Sequence, residues 1–235
     1  MSFYDHYAQR ERNVFGKRIA TSFAKKVFDL ATKGSTGDSK VLELGPGDGY
    51  IAELCRSRGI EYIGIEGSQA VAHRLTSLGF NIIHSLVPPL PKELAKRDIC
   101  FALHIIEHLH SMTEAELLVN QIGDHLNPRG KFVIATPDYL RWGKDFFGCD
   151  YTHSLPFTLR SLNQLLINSG FKIDYAKISV ANVFGVSAIP IYWMAKLTYV
   201  RLIDNLSTGS LRSDSWYRGY LTFLPNLLVI ASKSV

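Results

Sequence analysis

Several things are scarce in this chain of 235 residues, and each scarcity excludes something. Cysteine occurs three times, as Cys55, Cys100 and Cys149, an odd number with no CxxC pair. That argues against a disulfide framework and for a reducing compartment, with the cytoplasm the expected location. No run of five basic residues occurs and no nucleic-acid recognition signature is visible, so the net charge of +5 does not call for nucleic acid. The first twenty residues are polar and charged, unlike a secretory leader. The most apolar stretch, 183–200, is broken by Pro190 and Lys196 and falls short of a spanning helix. Internal repeats and low-complexity tracts are likewise missing.

What is present is a regular alternation. Glu11 to Lys33 reads as an amphipathic helix, with Phe15, Ile19, Phe23, Val27 and Leu30 at helical spacing. Strand-like VLEL (41–44), YIGIE (62–66), FNIIH (80–84), DICFALH (98–104) and KFVIATP (131–137) follow, separated by helical patterns. Ser68 and Gly79 bound one of these helices, Thr113 and Glu116 form a capping box for another, and Asn127, Pro128 and Gly130 form a turn. A helix is expected over 157–170, and FKIDYAKI and NLLVIASK supply the last two strands. Such alternation predicts an α/β fold with a doubly wound, mostly parallel sheet. The chain reads as one domain over 1–235, with an N-terminal helical segment 1–38 and an aromatic, helical insertion at about 179–223.

The loop after the first strand reads Glu43-Leu-Gly45-Pro46-Gly47-Asp48-Gly49. A dinucleotide fingerprint would require glycine at position 50, which is Tyr50. The loop is flanked by Glu43 and Asp48, and acids repel a pyrophosphate at a helix N-terminus. Glu66 closes the second strand, where a carboxylate can accept both hydroxyls of a ribose. A cationic ligand carrying a ribose suits this charge pattern, and S-adenosylmethionine is one.

VLELGPGDGY, YIGIEGS, ALHIIEHL and LNPRGKFVIATPDY together resemble the Rossmann-like class I S-adenosylmethionine-dependent methyltransferases over residues 40–175. HSLPFTLRSLNQLLINSGF resembles their small-molecule branch, which includes ubiquinone-pathway and sugar-modifying enzymes. The resemblance implies a seven-stranded sheet with an antiparallel last strand. It implies S-adenosylmethionine as cofactor, with Glu43, Gly45, Gly47, Asp48, Glu66 and His104 around it and Tyr4 or Tyr7 closing over it. Relatives often carry an acid after the third strand to read adenine. Here the chain has His84-Ser85-Leu86, and a backbone carbonyl or Ser85 is the candidate substitute.

The expected reaction is methyl transfer to a small-molecule acceptor, most readily the oxygen of a sugar, phenol or quinone precursor. His108 and His153 are the candidate bases for a hydroxyl proton. The alternative is a methyltransferase-like fold that binds without catalysing. His104-Ile-Ile-Glu107-His108 also matches the H-x-x-E-H of zinc hydrolases. That motif needs one helix, whereas 98–104 reads as strand, so no metal is expected on this segment. The apolar insertion with Trp193, Lys196, Arg201 and Arg212 reads as core, as a lid over the acceptor, or as a face for peripheral contact with an anionic membrane.

Overall fold

The computed structural model describes residues 14–34, 38–198 and 211–234, without side chains over 211–216. Tyr4, Tyr7 and Arg201, and the side chain of Arg212, lie outside the described residues. The strands are β1 (Lys40–Leu44), β2 (Glu61–Glu66), β3 (Ile82–His84), β4 (Arg97–Leu103), β5 (Leu126–Pro137), β6 (Phe171–Val180), β7 (Val183–Phe184) and β8 (Asn226–Lys233). The helices are α1 (Val14–Thr32), α2 (Tyr50–Ser57), α3 (Gln69–Ser77), α4 (Met112–His125), α5 (Tyr139–Trp142), α6 (Asp145–Cys149), α7 (Leu159–Asn168), α8 (Ala188–Thr198) and α9 (Leu211–Thr222).

One eight-stranded sheet runs β3-β2-β1-β4-β5-β8-β6-β7. β1 to β5 pair in parallel, and β8 lies antiparallel between β5 and β6. The expected seven strands are joined by an eighth. A hairpin at Ala181 (φ 50°) and Asn182 folds Val183–Phe184 back onto β6, so the insertion begins with strand rather than helix.

Both faces of β1, β4 and β5 are buried, as a parallel sheet requires. On one face Leu42, Leu44, Cys100, Phe132 and Ile134 meet α4 and α7 through Leu118, Ile122, Leu162 and Leu166. On the other, Val41, Ile99, Phe101 and Val133 meet α1 and α2 through Val27, Phe28, Ile51 and Cys55. The buried stripe of α1 is Ala24, Val27, Phe28 and Ala31, an i, i+3, i+4, i+7 face. The sequence pattern placed Phe15 on that face, but the residue is 60% exposed and the buried stripe begins at Ala24.

Two local readings are corrected. α4 starts one residue after Ser111, whose hydroxyl accepts from Glu114 N at 3.2 Å, so the cap is Ser111 and not Thr113. The expected turn at 127–130 is an irregularity inside β5. Arg97 pairs with Leu126 and Ile99 with Lys131, so a step of two on β4 faces a step of five on β5. Arg129, at φ 63°, sits in the bulge. Among the described residues no helix is long and apolar enough to cross a membrane.

Candidate active site

The carboxyl ends of β1 and β4 meet where the strand order reverses, the crevice in which such sheets bind ligands. The glycine loop leaves β1 there. Gly45, Gly47 and Gly49 have φ of 62°, 50° and 83°, which L side chains rarely adopt. Gly45 N donates to Ile65 O at 2.8 Å, which ties the loop to β2. A Cβ on Gly45 would meet Ile105, whereas one on Gly47 would meet only Gly45 O at 3.9 Å. The space beside Gly47 is therefore open, and Arg74 of α3 holds its carbonyl at 2.6 Å.

Glu66 is buried at the end of β2. Its Oε1 accepts from Ser68 N at 2.9 Å and its Oε2 from Gly47 N at 3.3 Å. Each carboxylate oxygen has capacity for a further donor. Ser85 is anchored beside it, its N donating to Glu66 O at 3.0 Å, while its hydroxyl donates to Leu86 O. Asp48 is exposed at the loop's tip.

Glu43 does not line the loop as an exposed acid. It is buried on the face of β1 that carries Val41, and accepts from the Tyr62 hydroxyl at 2.7 Å. Burial pushes its carboxyl up to about 8; the Tyr62 hydrogen bond pulls down and nearby Glu66 pushes up. It is thus mainly protonated at neutral pH, and the negative field at the loop is weaker than the sequence suggests.

A second group of side chains gathers where the chain leaves β4 and β5. His104 follows β4 directly, at φ 61°, and Ile106–His108 form one turn of 3₁₀ helix. His104 and His108 therefore lack the i, i+4 geometry of one α-helix, in line with the strand reading of 98–104. Backbone N–H groups of Ser154 and Leu155 donate to Glu107 O, both at 3.0 Å, and Ser154 Oγ donates to Leu109 O at 2.8 Å. These bonds clamp the loop after β5 to the loop after β4 and bring the rings of His108 and His153 to 4.9 Å.

The hydrogen bonds define both imidazole tautomers. Phe146 O can only accept, so His153 Nδ1, at 2.7 Å, carries its proton. The Thr152 hydroxyl donates to Asp150 Oδ1 at 2.6 Å, so it accepts from His108 Nδ1 at 2.8 Å. In each ring Nδ1 is thus the protonated nitrogen. Burial lowers the pKa of His108; Glu107 pulls the other way and His153 adds to the lowering. Cys149 Sγ lies 3.7 Å from His153 Nδ1, but burial pushes its thiol up to about 12, so it is no nucleophile.

Sequence reasoning singled out His108 and His153 but missed Asp150, Thr152, Tyr62 and Arg74. The tetrapeptide Asp150-Tyr-Thr-His153 carried a signal, since Asp150 turns back onto Thr152 N at 2.9 Å as an Asx turn. Nothing in sequence marks Arg74 or Tyr62. Three other described histidines make local contacts: His84 with Gly67 O, His110 with Glu114 and His125 with Gln121 O.

Residues 4–176 match the family described as "Methyltransferase domain", and the chain belongs to that family. A protein of Mycolicibacterium smegmatis described as a probable S-adenosylmethionine-dependent methyltransferase is 32% identical over 143 residues, 57% of this chain and 52% of its own. The chain thus spans about half the length of that curated relative. A SAM-dependent methyltransferase of Archaeoglobus fulgidus shares the fold at a TM-score of 0.63 and 20% identity, covering 99% of this chain and 100% of its own. Magnesium protoporphyrin IX methyltransferase of Synechocystis, solved with bound SAH, gives a TM-score of 0.62 at 13% identity, covering 97% and 91%. S-adenosylmethionine is the cofactor of this family. The residues fit it: a buried carboxylate with spare acceptor capacity faces a glycine whose missing Cβ leaves open space.

Proposed function

We propose that this chain transfers a methyl group from S-adenosylmethionine to the oxygen of a small molecule such as a sugar, a phenol or a quinone precursor. The observation that carries the reading is the pair His108 and His153, their rings 4.9 Å apart and each oriented by a hydrogen bond at Nδ1, at the carboxyl edge that also presents the glycine loop.

When bound, the cofactor supplies a methyl group on a good leaving group. The residues of the chain then have two tasks. Glu66 accepts the ribose hydroxyls while its existing bonds to Gly47 and Ser68 keep the carboxylate in one orientation. At the other end of the site, Nε2 of His153 or His108 takes the acceptor's hydroxyl proton. Thr152 and the Phe146 carbonyl hold the rings in the tautomers this requires.

The acceptor side is bordered by α5 and α8. Tyr192 packs with Trp142, Val180 and Leu224, and its hydroxyl donates to Arg141 O at 3.4 Å. α8 exposes Trp193, Met194 and Leu197, at 53%, 63% and 77%, an apolar face suited to covering an acceptor or resting on a lipid surface.

The test is methyl transfer from labelled cofactor to a panel of phenols, catechols and free sugars, with amines as controls. Label should appear on hydroxyl acceptors, and His153→Ala or His108→Ala should cut turnover about 10²- to 10⁴-fold with cofactor affinity kept. Label on amines alone overturns the oxygen assignment. Tight cofactor binding without labelled product from any acceptor favours a binding protein instead.

A further inference from the structure

We propose that Glu107 is a positioning residue, whose buried carboxylate is the fixed counter-charge for the imidazolium formed when His153 or His108 takes the proton of the acceptor hydroxyl. The catalytic consequence rests on the methyl transfer proposed above; the electrostatic pairing does not. Glu107 is fully buried. Its Oε1 lies 3.1 Å from His104 Nδ1, while Oε2 is buried and accepts no hydrogen bond. A carboxylate oxygen of Glu107 and one ring nitrogen each of His108 and His153 lie within 4.8 Å of one another. A buried, unmatched carboxylate oxygen is costly unless a positive charge stands close by.

That charge arises in the reaction. Burial raises the Glu107 carboxyl, but the His104 bond and the charges of His104 and His108 outweigh it, so it falls below the usual carboxylate range and is ionised at neutral pH. A ring ready to act as base is neutral, so the trio then carries one negative charge. As the acceptor's O–H bond breaks toward a ring nitrogen, its oxygen bonds the methyl carbon and the carbon–sulfur pair leaves on sulfur. The trio becomes an ion pair without net charge, and the imidazolium later releases its proton to water. The carboxylate thus stabilises the state after proton transfer more than the state before it, which is the condition for lowering a barrier. The buried acid of a Ser-His-Asp triad acts on its imidazole in the same way.

The exit of β4 brings His104 and His108 to this place, and the loop after β5 brings Asp150 and His153. Burial lowers the pKa of His108; Glu107 is the strongest pull upward and Asp150 adds to it, while His153 and His104 push down. Two imidazoles that oppose each other beside one carboxylate hold one proton at a time. The Cys149 thiol, pushed up to about 12 by burial, stays protonated and adds no charge. Asp150 reaches His108 through the Thr152 hydroxyl. The Glu107 side chain has no exposed surface, so it acts through the rings and not on the acceptor itself.

The experiment uses the full chain as wild type, Glu107→Gln and Glu107→Asp, each checked for folding by circular dichroism. In nuclear magnetic resonance of labelled imidazoles, the titration midpoint of the His108 ring should fall by about one pH unit or more in Glu107→Gln and stay near wild type in Glu107→Asp. With the phenol, catechol or sugar that takes label most readily, Glu107→Gln should lower kcat about 10-fold or more, with acceptor KM and cofactor affinity level. The rising limb of kcat against pH should move toward acid, because a weaker base loses its proton at lower pH, and Glu107→Asp should restore it; a merely structural role would not move that limb. A His108 ring that titrates alike in wild type and Glu107→Gln overturns the proposal, as does full kcat with an unmoved limb in that variant. Wild type alone also decides: a Glu107 carboxyl carbon resonance showing a protonated group at neutral pH overturns it without any variant. If wild type labels no hydroxyl acceptor, it is the proposed function that fails, and the two titrations still decide the counter-charge.

Discussion

Gly45 and Ile105 claim the same space: a Cβ on Gly45 would stand 2.1 Å from Ile105 Cδ1 and 3.2 Å from Cγ1. The first glycine of the loop is required by a neighbouring strand's exit loop and by its φ of 62°. Gly47 has only the φ requirement. Gly45→Ala should therefore destabilise the fold by about 2–3 kcal/mol and Gly47→Ala by about 1–2 kcal/mol. Adding Ile105→Val, which removes Cδ1, should recover at least ~0.5 kcal/mol of the Gly45→Ala loss. Denaturant melts of the cycle read this directly; strict additivity would show that Ile105 is not the obstacle.

Glu66 is expected to govern cofactor affinity. Hydrogen bonds to a charged acceptor contribute about 1.5–3 kcal/mol, and 1.4 kcal/mol is a tenfold change in Kd. Calorimetry with the demethylated cofactor should show Glu66→Ala weaker by about tenfold or more. Glu66→Gln, which can still accept from Gly47 or Ser68, should lose less. Equal affinities in wild type and both variants would remove Glu66 from the site.

Glu43 should impose a pH slope on stability. An unfolded glutamate titrates near pH ~4.3, and the folded carboxyl near about 8. Between those values the native state binds the extra proton. This stabilisation is complete at the acid end of the window and is lost as pH rises through it. Wild type should lose up to about 1.4 kcal/mol per pH unit relative to Glu43→Gln between pH 5 and 8. Urea titrations across that range test it, and parallel profiles for the two proteins would reject the buried, protonated carboxyl.

Trp193 is half exposed on α8, so its removal should change stability by no more than about 0.5 kcal/mol. As part of a cover over the acceptor, Trp193→Ala should raise the acceptor KM or lower kcat while cofactor affinity stays level. If the face rests on lipid instead, wild type should sediment with anionic vesicles and the variant should not, with salt weakening the contact. A variant unchanged in kinetics and in vesicle binding would leave α8 as packing alone.

Much of the architecture was legible because it rests on local periodicity. Alternating apolar runs of β1, β2, β4 and β5, the Ser68 cap, and glycines at positive φ are properties of neighbours in sequence. The departures arose where tertiary contacts outweighed local signals. The residues 127–130 carry good turn chemistry, yet β4, which pairs with Leu126 and again from Lys131, keeps them within β5 as a bulge. Thr113 and Ser111 are both adequate caps, and the clamp between Leu109 and Ser154 brings the chain into α4 at Ser111.

By itself the sequence determined the doubly wound sheet, the glycine loop and the place of Glu66, since hydrophobic period, φ requirement and strand end are set within a few residues. It also nominated His108 and His153 separately. Only the tertiary structure decided that Glu43 turns inward to Tyr62 and sheds its charge, and that Glu107 is buried beside two imidazoles with one oxygen unmatched. The reason is that desolvation and convergence depend on which strands lie side by side. β4 and β5 are parallel neighbours, so their exit loops meet at one edge, and His108 reaches Thr152 across 44 residues of chain.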